Sequence, residues 1–84
     1  MKPIRLTVHA QGYLSRRGFT VAEVEDAIRT GMWRSASHGR HETSKEFAYG
    51  RDWNGTVYAT KRVRPIFVDE STEIVVITVY TYFF

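Results

Sequence analysis

The stretch from Glu73 to Phe84 constrains this chain more than any other segment. It is dense in Val, Ile, Thr, Tyr and Phe, which suit a pleated, partly buried surface. It reads as one long strand with two unlike faces. Period-two geometry puts Val75, Ile77, Val79, Thr81 and Phe83 on one face, and Ile74, Val76, Thr78, Tyr80, Tyr82 and Phe84 on the other. The first set is expected to meet a helix-covered core. The second leaves the hydroxyls of Thr78, Tyr80 and Tyr82 on the opposite face, where a function that uses the sheet is expected.

The helices that would cover the core are at the other end of the chain. Ile4 to Val8 alternates apolar and polar, and reads as a short strand or an extended lead-in. Thr7 is a suitable N-cap for a helix from about Val8 to Arg17, and Gly18 a left-handed stop. Thr20 and Glu23 then form a capping box, with Phe19 and Val24 placed as a hydrophobic staple. Val21, Val24, Ala27 and Ile28 make the apolar stripe of this second helix, which Gly31 ends.

Met32 to Arg51 reads mainly as loop, with a strand at Glu46 to Tyr49. Asn54-Gly55 is a hairpin turn signal. Thr56 to Arg62 and Arg64 to Val68 read as two strands, Pro65 favouring an edge, a strand start or a bulge. Glu70-Ser71-Thr72 reads as the turn into the last strand. The fold expected is α+β: two N-terminal helices, forming a helical hairpin, packed on a curved antiparallel sheet of about four strands.

With 84 residues the chain is expected to be a single domain, 1–84. A chain this short buries only about 60–65% of its unfolded surface, so a site should be a groove or a sheet face rather than an enclosed cavity. The absence of cysteine excludes disulfides, thiolate nucleophiles and Cys-based metal sites, and fits a cytoplasmic setting. No apolar run is long enough for a membrane span, and no signal-peptide pattern opens the chain. The net charge of +3 permits a polyanionic partner, with the basic residues gathered in the middle of the sequence.

Phosphate-binding glycine loops, nucleophile elbows and calcium loops are absent from the sequence. His9 opens the first helix and suits acid–base work, because imidazole titrates near neutrality; a packed or hydrogen-bonded ring is the structural alternative. His38 and His41, beside Glu42, are too few for a zinc site, and neither metal nor cofactor is expected. Their loop, with Arg34, Arg40 and Lys45, could contact phosphate. Arg16, Arg17, Lys61, Arg62 and Arg64 could grip phosphate and stabilise a phosphorane, or could be solvated surface charges. Tyr49, Trp53, Tyr58, Tyr80 and Tyr82 could stack on unpaired bases, or pack a small sheet. Trp33 reads as a core or interface anchor.

Thr7, His9 and Ala10, followed by Arg16-Arg17-Gly18-Phe19 and the helix from Val21, resemble the start of a small bacterial family of uncharacterised domains, the DUF4258-like family. The run Ile74-Val75-Val76-Ile77-Thr78-Val79-Tyr80 resembles that family's final strand. Such domains resemble the RelE/ParE-like toxins and, more distantly, the barnase–EndoU–colicin–RelE ribonucleases. The resemblance implies a metal-independent endoribonuclease of a toxin–antitoxin system. His9 would be base or acid, and Thr78 and Tyr80 would orient phosphate or donate a proton. Arg64 joins them as the catalytic cation on chemical grounds, and Arg16, Arg17, Arg40, Lys61 and Arg62 would hold nucleic acid. The expected partners are RNA and an antitoxin protein, with a homodimer as a further possibility. The alternative is a non-catalytic nucleic-acid- or protein-binding module of the same fold.

Overall fold

The computed structural model describes residues 2–84. The chain folds as β1 (Ile4–Leu6), α1 (Val8–Gly12), α2 (Leu14–Arg17), α3 (Val21–Thr30), β2 (Arg34–Ser35), a 3-10 turn (Ser37–Gly39), β3 (His41–Glu42), β4 (Lys45–Trp53), β5 (Thr56–Asp69) and β6 (Ile74–Phe83). This corrects the expected fold: the sheet has six strands and is mixed, and three short helices replace two. Its order is β1-β6-β5-β3-β2, with β4 also paired to β5. The short N-terminal run forms a strand parallel to β6, Ile4 facing Ile74 and Leu6 facing Val76. The stretch from Met32, expected mainly as loop, supplies β2, β3 and most of β4.

The two strands expected around Val63 are one. β5 runs straight through Pro65, whose carbonyl accepts from the Thr43 N–H at 3.4 Å. Its nitrogen faces the same side, so the missing donor falls where β3 has ended and β4 has not begun. No ladder bond is lost there. The Asn54-Gly55 turn joins β4 to β5 as expected.

The first helix also differs. Its expected span is broken at Tyr13, whose N–H bonds to the Ala10 carbonyl three residues back. Gly12, a poor helix former, sits at the break. Thr7 caps α1 as expected, accepting from the Ala10 N–H at 3.1 Å. The capping box of α3 is present in both directions, between Thr20 and Glu23. Gly31 ends α3 by space rather than handedness: a Cβ there would meet Thr43 Oγ1 at 2.1 Å.

Helices cover one face of the sheet. The core joins Leu6, Ala10, Phe19, Val24 and Ile28 to Val63, Phe67, Ile74, Val76 and Val79. Strict alternation along β6 would not place Ile74 and Val76 on the same side as Val79. A bulge reconciles them: Ile66 pairs with Thr78 but Phe67 pairs with Val76, so Ile77 is the extra residue. The expected core face is therefore corrected for Val75, which faces away from the helices. Thr78, Tyr80 and Tyr82 remain on the open face.

Candidate functional site

On the open face Arg62, Arg64 and Ile66 of β5 stand opposite Tyr82, Tyr80 and Thr78 of β6, and Glu42 of β3 stands beside Ile66. Directly opposed residues on one face are in reach of each other, so this register sets the site. Arg64 is its centre. Its Nη2 donates to Glu42 Oε2 at 2.8 Å and its Nη1 to the Tyr82 hydroxyl at 3.1 Å. Its Cζ lies 5.5 Å from the Tyr80 ring centroid. The hydrogen bond to Glu42, then that to Tyr82, holds the guanidinium above its already high ordinary pKa.

Arg17 approaches from the other flank of β6. Beyond Leu6, β1 no longer covers that edge. Thr7 takes over, its N–H donating to the Val76 carbonyl and its hydroxyl to that of Ile77. Arg17 continues the edge: Nη1 donates to the Val79 carbonyl at 2.9 Å and to Thr78 Oγ1 at 3.2 Å. Its Cζ lies 5.1 Å from the Tyr80 centroid and 3.9 Å from that of Tyr13. Two guanidiniums thus reach Tyr80 from opposite sides of its strand.

His9 joins this group through Tyr13. The imidazole is exposed and meets the Tyr13 ring edge-on, with centroids 4.9 Å apart. It can lie no farther from the Arg17 guanidinium than those two separations combined. All four residues expected to be catalytic, His9, Arg64, Thr78 and Tyr80, therefore belong to one contact chain, linked by Arg17 and Tyr13. Beside it is a groove of about 440 Å³ lined by Ser35, Ser37, Arg40, Glu42, Arg64, Thr78 and Tyr80, among others. A concavity of about 480 Å³ between β1 and the helices is lined by Ile4, Leu6, Gln11, Leu14, Ser15 and Val21, and carries no titratable side chain.

The other expected nucleic-acid contacts divide. Arg16 is exposed, with its Cζ 5.3 Å from the Tyr13 centroid. Arg40 lines the groove. Arg62 is on the open face, paired with Glu46 at 2.6 Å and 5.2 Å from the Phe84 centroid. Lys61 lies elsewhere: it is buried, its Nζ 2.8 Å from Glu23 Oε2 and donating to the Gly18 carbonyl at 3.1 Å. It ties the start of α3 to the sheet. His41 packs against Trp33 and Phe67, while His38 is exposed in the 3-10 turn. Among the described residues, no three His, Asp or Glu side chains come together as a metal ion requires.

Charge is unevenly matched. Among the described residues, Arg16, Arg17, Arg40 and Arg51 have no carboxylate within ion-pair distance, whereas every other Lys and Arg does. Three of these arginines border the site. Reasoning from sequence overlooked Tyr13 and the structural use of Glu42. Tyr13 had a signal: His9, Tyr13 and Arg17 recur every four residues, which aligns them on one helical face. Glu42 had none beyond its position beside His41.

Among the described residues no helix is long and apolar enough to cross a membrane. Compared with protein-family models, curated proteins and solved structures, the chain has no match.

Proposed function

We propose that the chain is a metal-independent endoribonuclease that drives the RNA 2′-hydroxyl onto its own adjacent phosphate. One observation carries this reading: Arg17 and Arg64 reach Tyr80 from opposite flanks of β6, beside Thr78 and the His9–Tyr13 pair. A phosphate seated over Tyr80 meets both cations. His9 takes the 2′-hydroxyl proton, and O2′ bonds to phosphorus. The phosphorane's added negative charge is held by Arg17 and Arg64, whose donors suit phosphoryl oxygens. Thr78 Oγ1 accepts from Arg17, which leaves its own proton free for a phosphoryl oxygen. The bond to O5′ breaks as the Tyr80 hydroxyl protonates it, giving a 2′,3′-cyclic phosphate and a 5′-hydroxyl. The proton on His9 then returns to Tyr80 through solvent.

In this reading Arg16, Arg40 and Arg62 hold flanking phosphates. The chain acts as the toxin of a toxin–antitoxin pair, and the antitoxin shields the open face. A second reading, a non-catalytic binding module, is favoured by the setting of His9, which a ring contact orients rather than a hydrogen bond. Incubation with mixed RNA in EDTA separates the two. The nuclease cleaves in EDTA, and His9→Ala and Arg17→Ala each lower the rate by about 10²-fold or more. RNA that is retained but uncut leaves the binding module; equal cleavage by all three proteins identifies a contaminant.

A further inference from the structure

The chemistry proposed above occupies one end of the open face of β6, and the strand continues beyond it. Tyr80, Tyr82 and Phe84 follow one another on that face, with 41%, 42% and 52% of their surfaces exposed. Alternate residues of a strand stand about 6.6–6.8 Å apart. That spacing is close to the repeat of one nucleotide in an extended single strand. Guanidiniums accompany the rings: Arg17 and Arg64 beside Tyr80, Arg64 on the Tyr82 hydroxyl, and Arg62 beside Phe84. Ring and cation therefore alternate in step along the strand.

We propose that this ridge is a track for single-stranded nucleic acid that accepts DNA as readily as RNA, an inference that rests on the open face being a nucleic-acid surface but not on catalysis. Unpaired bases lay their flat faces on the Tyr82 and Phe84 rings, beyond the phosphate seat over Tyr80, and the phosphates meet the guanidiniums. A duplex cannot use the track, because its bases are already stacked on one another. Stacking and phosphate contacts do not read the sugar, so the 2′-hydroxyl matters only where it reacts. Charge complementarity selects a polyanion as the occupant: Arg16, Arg17 and Arg40 have no carboxylate partners and lie at the entry to the ridge. Along the ridge itself Arg62 and Arg64 keep Glu46 and Glu42 as partners, so the uncompensated positive charge lies at its entry.

Fluorescence anisotropy tests the track with a labelled 2′-O-methyl oligoribonucleotide, which cannot be cleaved, the single DNA strand of the same sequence, and its DNA duplex. Both single strands are expected to bind comparably, and the duplex at least about 10-fold more weakly. Phe84→Ala should weaken both single strands by roughly 5- to 150-fold, the value of one stacked base, and Phe84→Trp should not weaken them. Because the Phe84 ring is exposed, the variants should melt with the parent, which a thermal scan verifies. Duplex binding as tight as single-strand binding, or an unaltered Phe84→Ala, overturns the track. So does sedimentation showing a dimer that Phe84→Ala dissociates, since the ridge is then an interface. Single-strand binding without cleavage keeps the track and removes the nuclease; cleavage without strand preference does the reverse.

Discussion

Gly18 shows how much one residue carries. It ends α2 with φ at 71°, in the left-handed region that a Cβ disfavours. A Cβ there would also lie 2.6 Å from the Trp53 ring and 3.1 Å from that of Phe83. Trp53 cannot easily yield, since it stacks on Phe83 with centroids 4.7 Å apart. Gly18→Ala should therefore combine about 1–2 kcal/mol of backbone strain with about 1–3 kcal/mol of overpacking. Denaturant unfolding would measure it, and a loss of only about 1–2 kcal/mol would mean that the ring moves aside at little cost and the backbone strain alone remains. The stop at Gly18 was legible because helix termination is local chemistry. The partner was not: Trp53 read as a base-stacking candidate, and only the tertiary fold lays it over Gly18. Lys61 is a like case. Its charge suggested nucleic acid, but its partners Glu23 and Gly18 are far away in sequence.

Among the elements, β6 decides which side chains meet the helices and which meet solvent. Strict alternation suffices for Val79, Tyr80 and Tyr82, but it misplaces Ile74 and Val76, because no residue type announces a bulge at Ile77. Without the extra residue the strand could not keep both ends in register. Either Ile74 and Val76 would turn out of the core, or Thr78 and Tyr80 would turn off the open face. Ile74 and Val76 are completely buried, and exposing each side chain costs about 1.5–3 kcal/mol. Deleting Ile77 should thus cost at least about 3 kcal/mol, whereas Ile77→Ala keeps the bulge and should cost distinctly less. A deletion variant that unfolds with the parent's midpoint would show that the bulge does not hold the two faces apart. The alternation of Ile4 to Val8 offered a short strand or an extended lead-in; its parallel pairing was not legible, because the partner strand lies at the far end of the chain.

At the scale of the molecule, charge is sorted by the fold rather than by sequence. The acidic residues of α3 form no acidic pole: Glu23 pairs with Lys61, Asp26 with Lys45 and Glu25 with Arg29. The acids around the last turn clip β1 onto the sheet, Asp69 through Lys2 and Glu73 through Arg5. Of the four arginines without a carboxylate partner among the described residues, Arg16, Arg17 and Arg40 border the proposed site. The same pairing sets how the molecule responds to acid. Arg5 donates to both oxygens of Glu73, at 3.1 and 3.2 Å, and this hydrogen bonding holds the carboxyl below its ordinary pKa of 4.5. The unfolded chain binds a proton there more readily than the folded one. The pair's stabilisation is therefore complete above the ordinary value, and is lost as pH falls through the lower folded value. Glu73→Gln should remove part of the acid destabilisation, so its unfolding midpoint should fall less steeply than the parent's between pH about 5 and about 3. Arg5 is exposed and Glu73 half-buried at the surface, so the difference should be small and should shrink further with added salt. Urea midpoints across that range measure it. Parallel curves would mean that the Arg5–Glu73 pair contributes nothing to holding the parallel edge strand in place.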